Sequence, residues 1–81
     1  MRVTVQLFAI LRDRAGAAEV SVELGQNPCA GNVTSAVAER FPQIRELLQK
    51  TAVAVNRAYA TPQTLICPGD EVALIPPVSG G

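Results

Sequence analysis

The sequence predicts an α+β domain in which one main helix packs on one face of a mixed β-sheet. Three observations lead to this class. Residues 2–9 alternate between two kinds of side chain, with the period of a half-buried strand, and residues 71–75 repeat that period. Between them, Val33, Val37 and Phe41 recur at the spacing of one helix face. Strands flanking a helix in this order predict a helix that lies on a sheet.

Two strands and a short helical turn are predicted in the first 24 residues. The strands cover residues 2–9 and 18–24, and a helical turn over residues 11–16 separates them. Gly16 closes this turn, since glycine adopts the left-handed conformation that ends many helices. The side chains expected to face the core are Val3, Val5, Leu7, Val20, Val22 and Leu24.

The main helix is predicted to begin between Cys29 and Asn32 and to end before Pro42. Its opening is poor in strong helix formers, so tertiary packing must hold it. A second, short apolar stripe follows, made by Ile44, Leu47 and Leu48.

The second half of the chain predicts two further strands. The first covers residues 52–56, and Asn56-Arg57 forms its turn. Residues 59–65 are expected to be irregular, because Pro62 interrupts them. Pro68-Gly69 suits the centre of a type II turn before the last strand, residues 71–75. The inward side chains here are Val53, Val55, Val72 and Leu74.

Composition excludes several function classes. The chain has 81 residues, enough for one small domain, and its formal net charge is zero. The basic residues are spread along the chain without interleaved aromatics, so no nucleic-acid partner is expected. No stretch is long enough to span a membrane, and the first residues alternate where a secretory signal would be continuously apolar. We therefore expect a cytoplasmic protein with no membrane partner.

The chain contains no histidine, the commonest general base and metal ligand. Cys29 and Cys67 form no C-x-x-C pair, and we expect reduced, partly buried thiols that pack like small hydrophobes, with one disulfide as the alternative. No nucleophile-plus-base pair stands at a recognisable spacing. The sequence predicts no metal site and no bound cofactor, and an enzyme acting alone is the least favoured interpretation.

Phe8 and Ile75 are large apolar residues on strand faces that otherwise carry Thr4, Gln6 and Glu71. A single outward apolar residue is ordinary. Two of them, near the ends of the first and last strands, suggest a docking patch; the alternative is that each tucks under a loop. Asp70 and Glu71 fit contacts with a partner or a solvated turn equally well, and Arg12 and Arg14 fit a solvated turn better.

The last six residues are Pro76-Pro77-Val78-Ser79-Gly80-Gly81. The two prolines cannot extend a sheet ladder and favour an extended backbone. Such a tail reaches roughly 20 Å, at ~3.3 Å per residue. A terminal glycine carboxylate has no Cβ beside it, so another enzyme can approach it closely. A frayed end or a truncation is the alternative interpretation of Gly80-Gly81.

The stretch from Gly69 to Gly81, with Ile75-Pro76-Pro77-Val78-Ser79-Gly80-Gly81 at its end, resembles the small subunits of molybdopterin synthase, the MoaD family of sulfur carriers. Three other segments support this resemblance. They are Leu7-Phe8-Ala9-Ile10-Leu11-Arg12 with Gly16, then Phe41-Pro42, and then Ala54-Val55-Asn56. The resemblance covers nearly the whole chain, and the C-terminal run is its specific part.

This resemblance implies a β-grasp, ubiquitin-like domain over residues 1–75 and a flexible reactive tail over residues 76–81. It implies that an E1-like activating enzyme uses ATP to adenylate the Gly81 carboxylate, and that sulfur then replaces the adenylate as a thiocarboxylate. It further implies insertion of the tail into the large synthase subunit, in a heterotetramer of two small and two large subunits, and sulfur delivery to a pyranopterin precursor. The residues that would contact the partner are Phe8, Tyr59, Ile75, Pro76, Pro77, Val78, Ser79 and Gly80.

Two other functions share the Gly-Gly end. One is a sulfur carrier of the thiamin type, although Pro-Pro-Val-Ser before the glycines is not expected there. The other is a ubiquitin-like modifier, whose Gly81 would end in an isopeptide bond to lysine. Because adenylation begins both routes, the sequence alone does not separate a modifier from a carrier.

Overall fold

The computed structural model describes residues 1–77 and contains one five-stranded sheet with the strand order β2-β1-β5-β3-β4. Three α-helices and one 3₁₀ helix accompany the sheet in this part of the chain. In chain order the elements are β1 (Arg2–Leu7), α1 (Ala9–Ala15), β2 (Glu19–Glu23), α2 (Ala30–Arg40), the 3₁₀ helix (Pro42–Ile44), α3 (Arg45–Leu48), β3 (Ala52–Val55), β4 (Ala58–Ala60) and β5 (Val72–Ile75).

The last strand lies in the centre of the sheet. β5 pairs in parallel with β1 and antiparallel with β3, whereas β2 and β4 are antiparallel edge strands. The sheet is therefore mixed, as predicted, and the first and last strands are neighbours. Because β5 is hydrogen-bonded on both sides, the backbone leading into the tail is held firmly up to Ile75.

One face of the sheet and the inner face of α2 form the core. Val5, Val72 and Leu74 on the central strands have no solvent exposure, and neither do Val33 and Val37 of α2. The residues that the two-residue period placed inward on β1, β2 and β5 are all buried. The α+β class with one main helix on one sheet face is confirmed.

The opening of α2 is held by the loop that crosses it. The N–H groups of Ala30 and Gly31 donate to the carbonyls of Thr64 and Pro62 at 2.8 and 2.9 Å. Asn32 turns back, and its Oδ1 accepts the Cys29 N–H at 2.8 Å. Unpaired N–H groups at a helix start need such partners, so weak helix propensity is offset by contacts from elsewhere in the fold.

The structure corrects two boundaries and adds one strand. β1 ends at Leu7, two residues earlier than predicted, because Phe8 begins the turn into α1 and Ala9 is left-handed (φ 51°). α1 correspondingly starts at Ala9 and has seven residues, although Gly16 ends it as predicted. β4 extends into the segment that was expected to be irregular, and its three residues pair with β3 across the Asn56-Arg57 turn.

Both cysteines carry free thiols. Cys29 is half-buried, in line with the predicted packing role, but Cys67 is exposed, and the expectation of a partly buried thiol there is wrong. Cys67 precedes the Pro68-Gly69 turn, which leaves it on the surface; Gly69 is left-handed there (φ 87°), and the Asp70 N–H closes the turn onto the Cys67 carbonyl at 3.0 Å. Over residues 1–77, no helix is long and apolar enough to cross a membrane.

Candidate partner-docking face

The sheet face turned away from the helices carries small side chains in its centre. Strand register places Gln6, Ala73, Ala54 and Tyr59 side by side across four strands. Residues paired directly across a sheet point to the same face, so two alanines occupy the middle of this row. Small side chains there leave a hollow between larger neighbours.

The hollow is an open depression of ≈ 400 Å³. The three residues expected to form a docking patch, Phe8, Tyr59 and Ile75, all line it. Phe8 is 43% exposed and Tyr59 77% exposed, while Ile75 is half-buried. The other lining residues are Gln6, Ala54, Arg57, Glu71 and Ala73.

Phe8 and Ile75 line the same depression although Phe8 is not in a strand. Leu7 pairs with Leu74 in the parallel ladder of β1 and β5, so the next residue of each chain segment lies at the same end of the sheet. The left-handed backbone at Ala9 turns the chain into α1 directly after Phe8. This placement agrees with the predicted proximity of Phe8 and Ile75, and the 43% exposure of Phe8 does not fit the alternative in which that residue tucks under a loop.

The tail leaves the sheet beside this depression. Pro76 and Pro77 follow Ile75 directly; Pro76 is half-buried and Pro77 is exposed. Neither proline belongs to a strand, in agreement with their missing N–H groups. The predictions for Val78, Ser79, Gly80 and Gly81, and with them the flexible tail, lie outside the described residues.

At the opposite end of the depression, the side chain of Asn56 connects the turn between β3 and β4 to the turn that precedes β5. Its Nδ2 donates to Asp70 Oδ1 at 3.1 Å, and its Oδ1 accepts the Glu71 N–H at 3.0 Å. Asp70 Oδ2 also accepts the Cys67 N–H at 2.7 Å. These bonds lower the pKa of Asp70, the Cys67 N–H contributing most and the Asn56 amide next. Asp70 is thus a structural carboxylate of the turn, whatever else it contacts.

Charged groups stand only at this end of the depression's lining. Arg57 Nε lies 3.4 Å from Glu71 Oε2, and both side chains are substantially exposed. In water such a pair is weak, which leaves either group free to find another partner. The sequence suggested Glu71 as a possible partner contact, but it did not single out Arg57. It also did not single out Ala54 and Ala73, because only the strand pairing brings these two small residues together.

The described residues give little support for a metal site or for a buried reactive group. Within residues 1–77 no group of three or more histidine, cysteine or carboxylate side chains has the geometry to hold a metal ion. No buried polar side-chain atom in that range lacks a hydrogen-bond partner.

Residues 5–81 match the ThiS family. The chain belongs to the ThiS family. It is also 34% identical, over 83 residues and 100% of both chains, to the molybdopterin synthase sulfur carrier subunit of Chlamydomonas reinhardtii. The match of this ThiS family member to that relative spans the whole chain, so it includes both the residues that line the depression and the C-terminal residues.

Solved structures show the same fold. SAMP1 from Haloferax volcanii, a small archaeal modifier protein, superposes with a TM-score of 0.87 at 28% identity over 100% of both chains. In a complex of subunits 1 and 2 of molybdopterin-converting factor from Helicobacter pylori, the matching chain has a TM-score of 0.70 at 23% identity, again with 100% of both chains covered. These likenesses confirm the ubiquitin-like β-grasp fold for this ThiS family member.

Proposed function

We propose that this protein is the sulfur carrier subunit of a molybdopterin synthase, which delivers sulfur from a C-terminal glycine thiocarboxylate to a pyranopterin precursor. The observation that carries the proposal is its full-length similarity to a relative named for that role. Relatives from Chlamydomonas reinhardtii and Mycobacterium tuberculosis both carry this name, which favours this carrier over the thiamin type.

In the proposed chemistry the reacting group is the carboxylate of Gly81. One of its oxygens attacks the α-phosphorus of ATP, pyrophosphate leaves, and an acyl adenylate forms. With hydrosulfide as the sulfur donor, HS⁻ attacks the acyl carbon, AMP leaves, and the proton is lost to solvent, so that sulfur has replaced one oxygen of Gly81. The activating enzyme supplies the ATP site and the catalytic groups, which agrees with a carrier sequence that contains no histidine.

The docking face suits this role through its position. A partner that covers the depression contacts Phe8, Tyr59 and Ile75 and at the same time receives the chain that leaves β5 at Pro76. Aromatic and large aliphatic anchors supply most of the binding energy in protein interfaces. Docking there would feed Val78, Ser79, Gly80 and Gly81 into a channel of the partner without any movement of the sheet.

Two proteins are the proposed occupants of this face at different steps. The activating enzyme binds first, for adenylation, and the large synthase subunit binds afterwards, for sulfur delivery. We propose a heterotetramer of two small and two large subunits for the second complex. A single face that serves both partners requires that they bind in turn.

Mass spectrometry of the C-terminal peptide tests the reacting group. After incubation with ATP, the activating enzyme and a sulfur donor, Gly81 should gain the mass change of one oxygen replaced by sulfur. Deletion of Gly81, addition of one residue after it, or Gly81→Val should each abolish sulfur transfer to the precursor. A misplacement of even ~1 Å can cost about a hundredfold in rate.

All three variants should melt at the temperature of the parent, which serves as the control for folding. Sulfur on Cys29 or Cys67, with Gly81 unchanged, would overturn the proposal. A ladder of protein conjugates linked through Gly81, with no pterin product, would assign the chain to the protein modifiers.

A further inference from the structure

The turn between β3 and β4 contains an arginine in an unfavourable backbone conformation. Asn56 and Arg57 are both left-handed, with φ of 53° and 69°. Two-residue hairpin turns of this kind favour glycine at the second position, because a Cβ there meets the following carbonyl. An arginine at this position weakens the turn that holds the edge strand.

Intramolecular contacts account for Asn56 but not for Arg57. Asn56 tolerates the left-handed region and its side chain bonds to Asp70 and to the Glu71 N–H. The guanidinium of Arg57 is 89% exposed and touches Glu71 through Nε alone, at 3.4 Å. Within residues 1–77 no other group bonds to it. An exposed ion pair stabilises less than a left-handed backbone costs.

The location of Arg57 points to a role outside the fold. It lines the same depression as Tyr59 and Ile75, and it is the only cation among the described lining residues. The residues in this structure that are left-handed and are neither glycine nor asparagine are Ala9, directly after Phe8, and Arg57. Both flank the docking face, and backbone strain of this kind clusters at functional sites.

The position of Arg57 within the depression indicates which kind of molecule its guanidinium would meet. Val55, just before the turn, pairs with Val72 at the start of β5, whereas Ala52 pairs with Ile75 where the tail departs. Three strand residues, roughly 10 Å at ~3.3 Å each, separate these two ends. Arg57 therefore lies at the end of the depression away from the point where Pro76 follows Ile75, and a protein that covers the depression would meet its guanidinium there.

We propose that Arg57 is a specificity-determining residue of the docking face, where its guanidinium pairs with a carboxylate on the protein that covers the depression. This rests on the proposed function, in which that protein is the large synthase subunit. A guanidinium presents a planar fork of donors that matches a carboxylate. At the polar rim of an apolar interface, such a charge selects the partner and raises the association rate.

Binding of the whole chain to the large subunit, measured by calorimetry at ~50 mM and ~500 mM salt, tests this inference. Arg57→Gln removes the charge but keeps a side chain at the left-handed position. The dissociation constant for the large subunit should rise about three- to fivefold at low salt. Arg57→Glu should raise it about tenfold or more, and Arg57→Lys should retain part of the affinity. The differences in dissociation constant between these variants and the parent should nearly vanish at high salt.

Arg45→Gln is the matched control. It removes an equal charge from α3, on the helix side of the sheet, and should bind like the parent.

Thermal melting separates recognition from folding. Arg57→Gly removes both the charge and the strain, so it should bind as weakly as Arg57→Gln and melt up to about 4–8 °C higher than the parent. If Arg57→Gln binds like Arg45→Gln at low salt, or if its melting temperature falls while its affinity stays, Arg57 belongs to the turn alone and the inference is wrong. If the parent itself does not bind the large subunit, the proposed function fails as well; if Ile75→Lys weakens binding and Arg57→Gln does not, only the role of Arg57 fails.

Discussion

The same central strands present two different surfaces. On the side of the helices, β1 and β5 place Val5, Leu7 and Leu74, each at most 2% exposed. On the other side the same strands place Gln6 and Ala73, which are only half-buried. Because successive strand residues point to opposite faces, neighbouring residues in one strand face the core and the open side of the sheet in turn.

The side chains on the two faces differ in size as well as in exposure. The helix side is filled by branched aliphatic residues, which pack against Val33 and Val37 of α2. The open side has alanines in its centre and Phe8, Tyr59 and Ile75 around them. A close-packed face stabilises the isolated chain, whereas a hollow face with large rim residues gains its contacts only when another protein fills it.

The largest effect that this comparison predicts is on stability. Leu74→Ala should lower the free energy of unfolding by about 2–5 kcal/mol, because Leu74 is fully buried and leaves a cavity. A domain of this size has about 4–12 kcal/mol in total. Ile75→Ala, the matched truncation one residue further on the open face, should cost less than ~1 kcal/mol. Urea denaturation measures both, and equal losses would contradict the division between the faces.

A substitution on the open face should affect partner binding more than it affects stability. Ile75→Lys should raise the dissociation constant for the large synthase subunit about 30-fold or more, since loss of an interface anchor costs ~2 kcal/mol or more. The isolated variant should keep the melting temperature of the parent. Leu65→Lys is the control, because Leu65 is 64% exposed and does not line the depression.

Two results would count against that prediction. Unfolding of Ile75→Lys would make Ile75 a core residue, and normal binding would make it a bystander. An equal loss of affinity in Leu65→Lys would show that added positive charge, rather than the lost anchor, weakens the complex.

The features that the sequence predicted correctly are those with a regular period. Alternation along β1, β2 and β5 identified the buried residues, and the i, i+4 spacing of Val33 and Val37 identified the inner face of α2. Pro42, Gly16 and Pro68-Gly69 marked ends and turns correctly because their backbone limits act locally. The strand β4 was missed, because three residues, Ala58 to Ala60, are too few to show a period.

The site was predicted only in part, for a similar reason. Large apolar residues at outward positions are visible in a sequence, so Phe8 and Ile75 were found. The hollow between them depends on which strands are neighbours, and the pairing of Ala54 with Ala73 joins residues far apart in the chain. The left-handed backbone of Arg57 and the bonds of Asn56 are likewise tertiary facts, because the turn sequence contains no glycine to announce them.

The smallest effect concerns the turn at the charged end of the open face, which belongs to folding although it borders the docking face. The pKa of Asp70 is lowered mainly by the Cys67 N–H and next by the Asn56 amide. A carboxyl group whose pKa is lower in the folded than in the unfolded protein stabilises the fold at any pH above its unfolded-state pKa. This contribution is lost as the pH falls through the folded-state pKa.

The stability of the parent should therefore decline more steeply below about pH 4 than that of Asp70→Asn, which keeps an acceptor oxygen but has no proton to gain. Urea denaturation at pH 7, 4 and 2.5 compares the two, and the gap between parent and variant should narrow on acidification. Parallel curves over this range would mean that the turn does not depend on the charge of Asp70, and the carboxylate would then be free to act with Glu71 in contacting a partner.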